Sequence, residues 1–133
     1  MLGDPVAQLS ILQVCIVASV AGLTGIEGLF FARGAAQLSG YGEGSPYQRQ
    51  SGMNNLAVAF VSLLVFFGGW GLYAELAVLL ILLIFLALSA INHAYAGFNA
   101  ENRNIRIYTR PLGTALLIAF TIPFIIRAFK HAG

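Results

Sequence analysis

A chain of 133 residues has room for one domain, and its make-up excludes most water-soluble folds: 59% of residues are hydrophobic and only 9% charged, where a soluble domain carries about 25% charged residues. Seven Lys and Arg against five Asp and Glu give a formal charge of +2, too thin a basic footprint for a nucleic-acid partner. Cys15 is the only cysteine, so an intrachain disulfide and zinc sites needing two cysteines are excluded. Within its apolar run it reads as a small buried hydrophobe.

Crossing about 30 Å of hydrocarbon takes about 20 mostly apolar residues, and the chain offers four such stretches. The first runs from about residue 6 to 31, interrupted by Gln13, small hydroxyls, glycines and Glu27. It is too long for a signal h-region and has no Lys or Arg before it, so it reads as a retained membrane helix. Ala18, Ala21, Gly22, Gly25 and Gly28 form a strip of small residues along it, the kind that lets a second helix approach closely. The second stretch runs from about 53 to 72 and the third from about 75 to 96; "GGWGLYAE" between them leaves room only for a tight turn, with Trp70 and Tyr73 as interface anchors. The fourth runs from about 111 to 129 and opens on Pro111, which suits a first helical position. Pro123 removes a backbone hydrogen bond deep inside it and is expected to bend it, with Thr121 available to satisfy freed groups. The expected fold is all-α: a four-transmembrane-helix antiparallel bundle forming one integral membrane domain over residues 1–133.

Four crossings put the two polar connections on the same side. They carry Arg33, Arg49, Arg103, Arg106 and Arg110, whereas the opposite side has Arg127 and Lys130. By the positive-inside rule the two connections face the cytoplasm and both termini face outward.

The same topology places Glu27, Asn54, Asn55, Asn92 and His93 in one leaflet. Thr24 and Glu27 are three apart; Asn55, Ala59 and Ser62 recur at i, i+4 and i+7; Ser89 lies below Asn92 and His93; Thr114 and Thr121 are seven apart. Each helix thus carries one polar strip. Turned inward, the strips would line a polar cup open to the loop side, rimmed by Tyr41, Tyr47, Gln48, Tyr95, Asn99 and Tyr108. The candidate ligand-binding residues are Glu27, Asn55, Asn92, His93 and Arg110. An ionisable group within a span is expected to face protein or water. The plainer readings are a carboxylate paired with Arg33, Arg49, Arg110 or an amide, a histidine bonded at a helix end, and asparagines that cap or bridge helices. The other histidine, His131, lies about a membrane thickness from His93. Haem ligation by two histidines and a two-histidine metal site are therefore not expected, nor is any other metal site. Phosphate-binding glycine loops, G-x-S-x-G, HExxH and paired catalytic carboxylates are missing from the sequence; no catalytic residue is assigned and no cofactor is specified.

"GIEGLFF" late in the first span, "GSPYQRQSGMNNLAVA" leading into the second and "NHAYAGFNAENRN" leaving the third resemble a family of small four-helix bacterial integral membrane proteins of unknown function, distantly like the DoxX-type bundles, over about residues 20–120. The resemblance implies the fold and a place in the bacterial cytoplasmic (inner) membrane, and brings no activity. Such proteins often have a histidine soon after the first-span glutamate; here the stretch reads "GLFFARG" with Arg33, which weakens a metal-site reading.

Two functions from different classes fit. One is a non-catalytic accessory or scaffold protein that meets the lipid bilayer and either other membrane subunits or further copies of itself. The other is a binding or transport module in which the cup receives a small amphiphile, a quinone or a proton. A membrane enzyme would need a reaction that nothing in the chain specifies.

Overall fold

A computed structural model describes residues 3–31, 46–99 and 106–132. These are helical and contain no strand: α1 (Pro5–Phe30), α2 (Pro46–Phe67), α3 (Leu72–Asn99) and α4 (Arg106–Ala132). Each includes a segment long and apolar enough to cross a membrane, namely Pro5–Phe30, Arg49–Phe67, Leu72–Tyr95 and Pro111–Ala132. The chain is a multi-pass membrane protein. Its residues fall into two compact units, 10–79 and 1–9 with 80–133.

The first unit holds most of α1, all of α2 and the start of α3. On α1 the buried positions Gln13, Val17, Ala21 and Gly25 recur every fourth residue, forming one ridge. On α2 the buried positions are Gly52, Asn55, Ala59, Ser62 and Val65, again one helical face. These faces meet with the helices antiparallel, since Gln13 contacts Ser62 while Gly25 contacts Leu56 and Gly52. The expected small-residue strip makes the contact. A Cβ on Gly25 would lie 2.7 Å from Leu56 Cγ, and one on Gly52 would lie 3.1 Å from the Gly25 carbonyl oxygen and 3.2 Å from Gly28 Cα. At this crossing the backbones themselves touch.

α2 stops at Phe67, five residues earlier than expected, because a glycine cap ends it. The Trp70 N–H donates to the Val65 carbonyl at 3.2 Å and the Gly69 N–H to Phe66 at 3.3 Å, while Gly69 takes φ +60°. This is the paired-bond Schellman arrangement, with its left-handed position occupied by a residue that has no Cβ to strain. Gly71, at φ +88°, offers its carbonyl to the N–H groups of Ala74 and Glu75, so α3 starts at Leu72 rather than Glu75. α2 starts earlier than expected, at Pro46. Its first turns, "PYQRQS", are polar and therefore escape a search for apolar crossings.

In the second unit the Asp4 side chain caps α1, accepting the Val6 N–H at 3.0 Å. Pro5, with no N–H to satisfy, stands first in the helix. Asp4 Oδ1 also lies 3.7 Å from His131 Nε2 in the last turn of α4, which brings the start of α1 beside the end of α4. This pair is exposed and contributes little stability. α4 begins at Arg106, so Pro111 sits in its second turn instead of opening it, although the apolar crossing does begin there. Helix continues through Pro123. Thr121 does not serve the carbonyl that Pro123 leaves free. Its hydroxyl donates to Leu117 at 2.6 Å, because a helical Thr reaches back three or four residues, whereas Ala119 is only two away. Phe120 and Phe124 rings pack one turn apart, with centroids at 5.3 Å.

Replacing Gly52 by Leu is expected to cost about 1–3 kcal/mol by overpacking, read as a lower thermal unfolding midpoint in detergent. Gly113→Ala, where a Cβ meets nothing within 4 Å, should leave the midpoint unchanged or higher. Gly69→Val should cost about 1–2 kcal/mol through its left-handed backbone, seen by the same measurement.

Candidate functional site

Polar side chains within membrane helices need partners from protein, because lipid supplies none. Among the described residues of the unit formed by residues 10–79, helix-to-helix pairs meet that need at three places. At one end, Asn55 Nδ2 donates to Thr24 Oγ1 at 3.1 Å. The Thr24 hydroxyl in turn donates to the Val20 carbonyl at 2.7 Å, so Asn55 is tied through Thr24 to the α1 backbone. Bonds of this kind average about 0.6 kcal/mol. Farther along, Gln13 Nε2 donates to Ser62 Oγ at 2.8 Å, with both residues fully buried. At the end near the α2–α3 turn, Ser10 Oγ donates to Glu75 Oε1 at 2.7 Å, and Glu75 is only 5% exposed.

The inward turn expected for Asn55, Ala59 and Ser62 is what the structure shows, with exposures of 8%, 7% and 0%. Glu27 follows one turn after Thr24 and is half-buried, while Arg49, one of the partners expected for it, is exposed on α2. Glu27 and Asn55 thus belong to one unit. Asn92, exposed, and His93, half-buried, belong to the other and lie on α3; each has an interaction partner of its own. Arg110 is a residue of α4. Its side chain, those of Tyr47, Gln48, Asn99, Arg106 and Tyr108, and the residues Arg33, Tyr41 and Arg103 lie outside what the structure describes.

Two expectations change. Cys15 is exposed on α1 rather than buried; a small apolar thiol can face lipid as readily as a protein core. Gln13 and Glu75, read only as an interruption and a boundary, are instead buried members of hydrogen-bonded pairs. The signal available for them was spacing: Ser10 and Gln13 are three apart on α1, and Ser62 completes the α2 strip begun by Asn55. Which partner each would meet depends on helix rotation and register.

Gln13 is distinctive in another way. Its Oε1 is buried and has no hydrogen-bond partner among the described residues, a situation that costs about 1–3 kcal/mol when nothing compensates it. As for metals, no group of three or more His, Cys, Asp or Glu gathers among the described residues. Trp70 and Tyr73, beside the α2–α3 turn, are exposed as interface anchors would be.

No curated protein and no solved structure matches the chain. Residues 6–132 match the profile of a family of unknown function, DUF6790, and the chain, four apolar helices and their connections included, belongs to that family.

Proposed function

We propose that the protein is a non-catalytic accessory or scaffold subunit of the bacterial inner membrane, working as a homo-oligomer or beside larger membrane subunits. In this reading the four helices form one antiparallel bundle over the whole chain, distantly like the DoxX-type bundles, with both termini outside. The observation that carries it is the state of α4: only 11% of its most apolar 18-residue stretch is buried, against 28–33% for the other three helices. Leu112, Leu116, Phe120, Ile122, Ile126 and Phe129 are all exposed along it. Such a span leaves a broad apolar surface for a neighbouring helix. Further support comes from the polar pairs of the 10–79 unit, which join helix to helix as structural bridges do.

A second reading has the chain bind or carry a small amphiphile, a quinone or a proton in a cup formed by Glu27, Asn55, Asn92, His93 and Arg110. What favours it is the inward turn of Asn55, whose partner Thr24 stands one helical turn before Glu27, close to the end of α1.

Native mass spectrometry after mild extraction distinguishes the two. The accessory reading expects the 14.2 kDa chain to leave the membrane as an assembly, weakened at least about fivefold by the paired changes Leu116→Ala and Phe120→Ala with the unfolding midpoint retained. A lone monomer contradicts it. If Glu27→Gln and His93→Ala abolish ligand binding or proton flux while assembly is normal, the cup reading prevails.

A further inference from the structure

The buried groups at the α2–α3 turn end of the 10–79 unit have a chemistry that helix bridging leaves unused. Glu75 is a carboxylate only 5% exposed, held by the Ser10 hydroxyl at 2.7 Å. One turn along the same face of α1, Gln13 is fully buried; its amide nitrogen is engaged with Ser62 at 2.8 Å and its carbonyl oxygen has no partner. Side chains three residues apart on a helix are neighbours, with Cβ atoms about 5–6 Å apart. Two hydrogen-bonded pairs from α1, α2 and α3 thus lie one helical turn apart along α1, Ser10 with Glu75 and Gln13 with Ser62, and between them they carry a carboxylate, an unpartnered amide carbonyl and two hydroxyls.

Charge makes the same point. A buried carboxylate needs a compensating positive charge or several strong donors. Among the described residues of this unit the only basic one is Arg49, which precedes Ser62 by 13 positions on α2, roughly 20 Å along the helix axis. The Ser10 hydroxyl supplies one donor, and no described side chain donates to the Gln13 oxygen.

We propose that Ser10, Gln13, Ser62 and Glu75 form a binding site for a small monovalent metal cation of the sodium type. Hard cations select oxygen ligands, and carboxylate, amide carbonyl and hydroxyl are all oxygen donors. The single carboxylate matches a single positive charge; divalent sites commonly gather more acidic ligands. With neither a thiolate nor an imidazole in the set, softer transition metals have no preferred ligand here. The bound ion would link α1, α2 and α3 and give the Gln13 oxygen its missing partner. This site goes beyond the accessory reading: assembly and ion binding can each fail without the other.

The test uses the full chain purified in detergent without sodium, in choline chloride, with sodium chloride exchanged for choline at constant ionic strength. Thermal unfolding should show a saturable rise in midpoint of about 3–8 °C in the wild type, together with broadening of the sodium-23 resonance. Gln13→Leu, which replaces the unpartnered amide by an apolar side chain of similar size, should fold and weaken the apparent sodium affinity at least about tenfold. Glu75→Gln should abolish the response. If the wild type shows no sodium-specific shift, if Gln13→Leu keeps the wild-type response, or if calcium or acid alone reproduces the stabilisation without any response to sodium, the proposal is overturned.

Discussion

The close crossing of α1 and α2 is the constraint on which the rest of the described structure depends. Gly25, Gly28 and Gly52 allow backbone to approach backbone, and only at that separation do short polar side chains on either side span the gap. Thr24 reaches Asn55 from one helix to the other, and Gln13 reaches Ser62. In lipid the apolar face of a helix gains little by leaving hydrocarbon for protein, so close packing and interhelical hydrogen bonds must supply the specificity that the hydrophobic effect supplies in water. The glycines and the polar pairs are accordingly one device. A larger residue at the crossing would separate donors from acceptors as well as disturb packing.

The turn at Gly68–Gly71 extends this device to a third helix. Because α2 is capped within two residues of Phe67 and α3 restarts at Leu72, Glu75 enters the unit one turn after the reversal and meets Ser10. A longer connection would free α3 to rotate or slide. The short, glycine-capped one holds its first turn in place, and a carboxylate that would otherwise seek water is held among helix side chains. The ion site proposed for this end follows from that confinement: three helices contribute oxygen atoms, and the basic residue described in the unit is far away.

Much of the fold was legible in the sequence because hydropathy and helix length are local properties. Four apolar stretches became four helices, and the α1 small-residue strip and the α2 face of Asn55, Ala59 and Ser62 turned inward as their spacing implies. Helix ends were less legible. The polar first turns of α2 and the residues 106–110 of α4 extend the helices beyond their apolar segments, where hydropathy has nothing to register. The end of α2 was missed because Gly69 acts through a left-handed backbone, which a count of apolar residues does not see. The hydrogen-bond partners were least legible of all. Gln13 appears in sequence as one polar residue in an apolar run, and Glu75 as the first residue of a span; their burial is a consequence of how α1, α2 and α3 are rotated about their own axes. Asn55 could be placed on a buried face by spacing, but its partner Thr24 could not be chosen over Glu27 without the register of the two helices.

That register is open to a direct test. A Cβ built on Gly22 lies 3.9 Å from Ala59 Cβ, within the range of about 3.5–4.5 Å that a disulfide requires. With Cys15 changed to Ser to leave no other thiol, the double variant Gly22→Cys and Ala59→Cys should form an intrachain disulfide on mild oxidation in native membranes. A pairing of Gly22→Cys with Val61→Cys, on the exposed face of α2, should not. Efficient cross-linking of the first pair alone is the result predicted by the crossing described above; failure of that pair, or equal cross-linking of both, would contradict it.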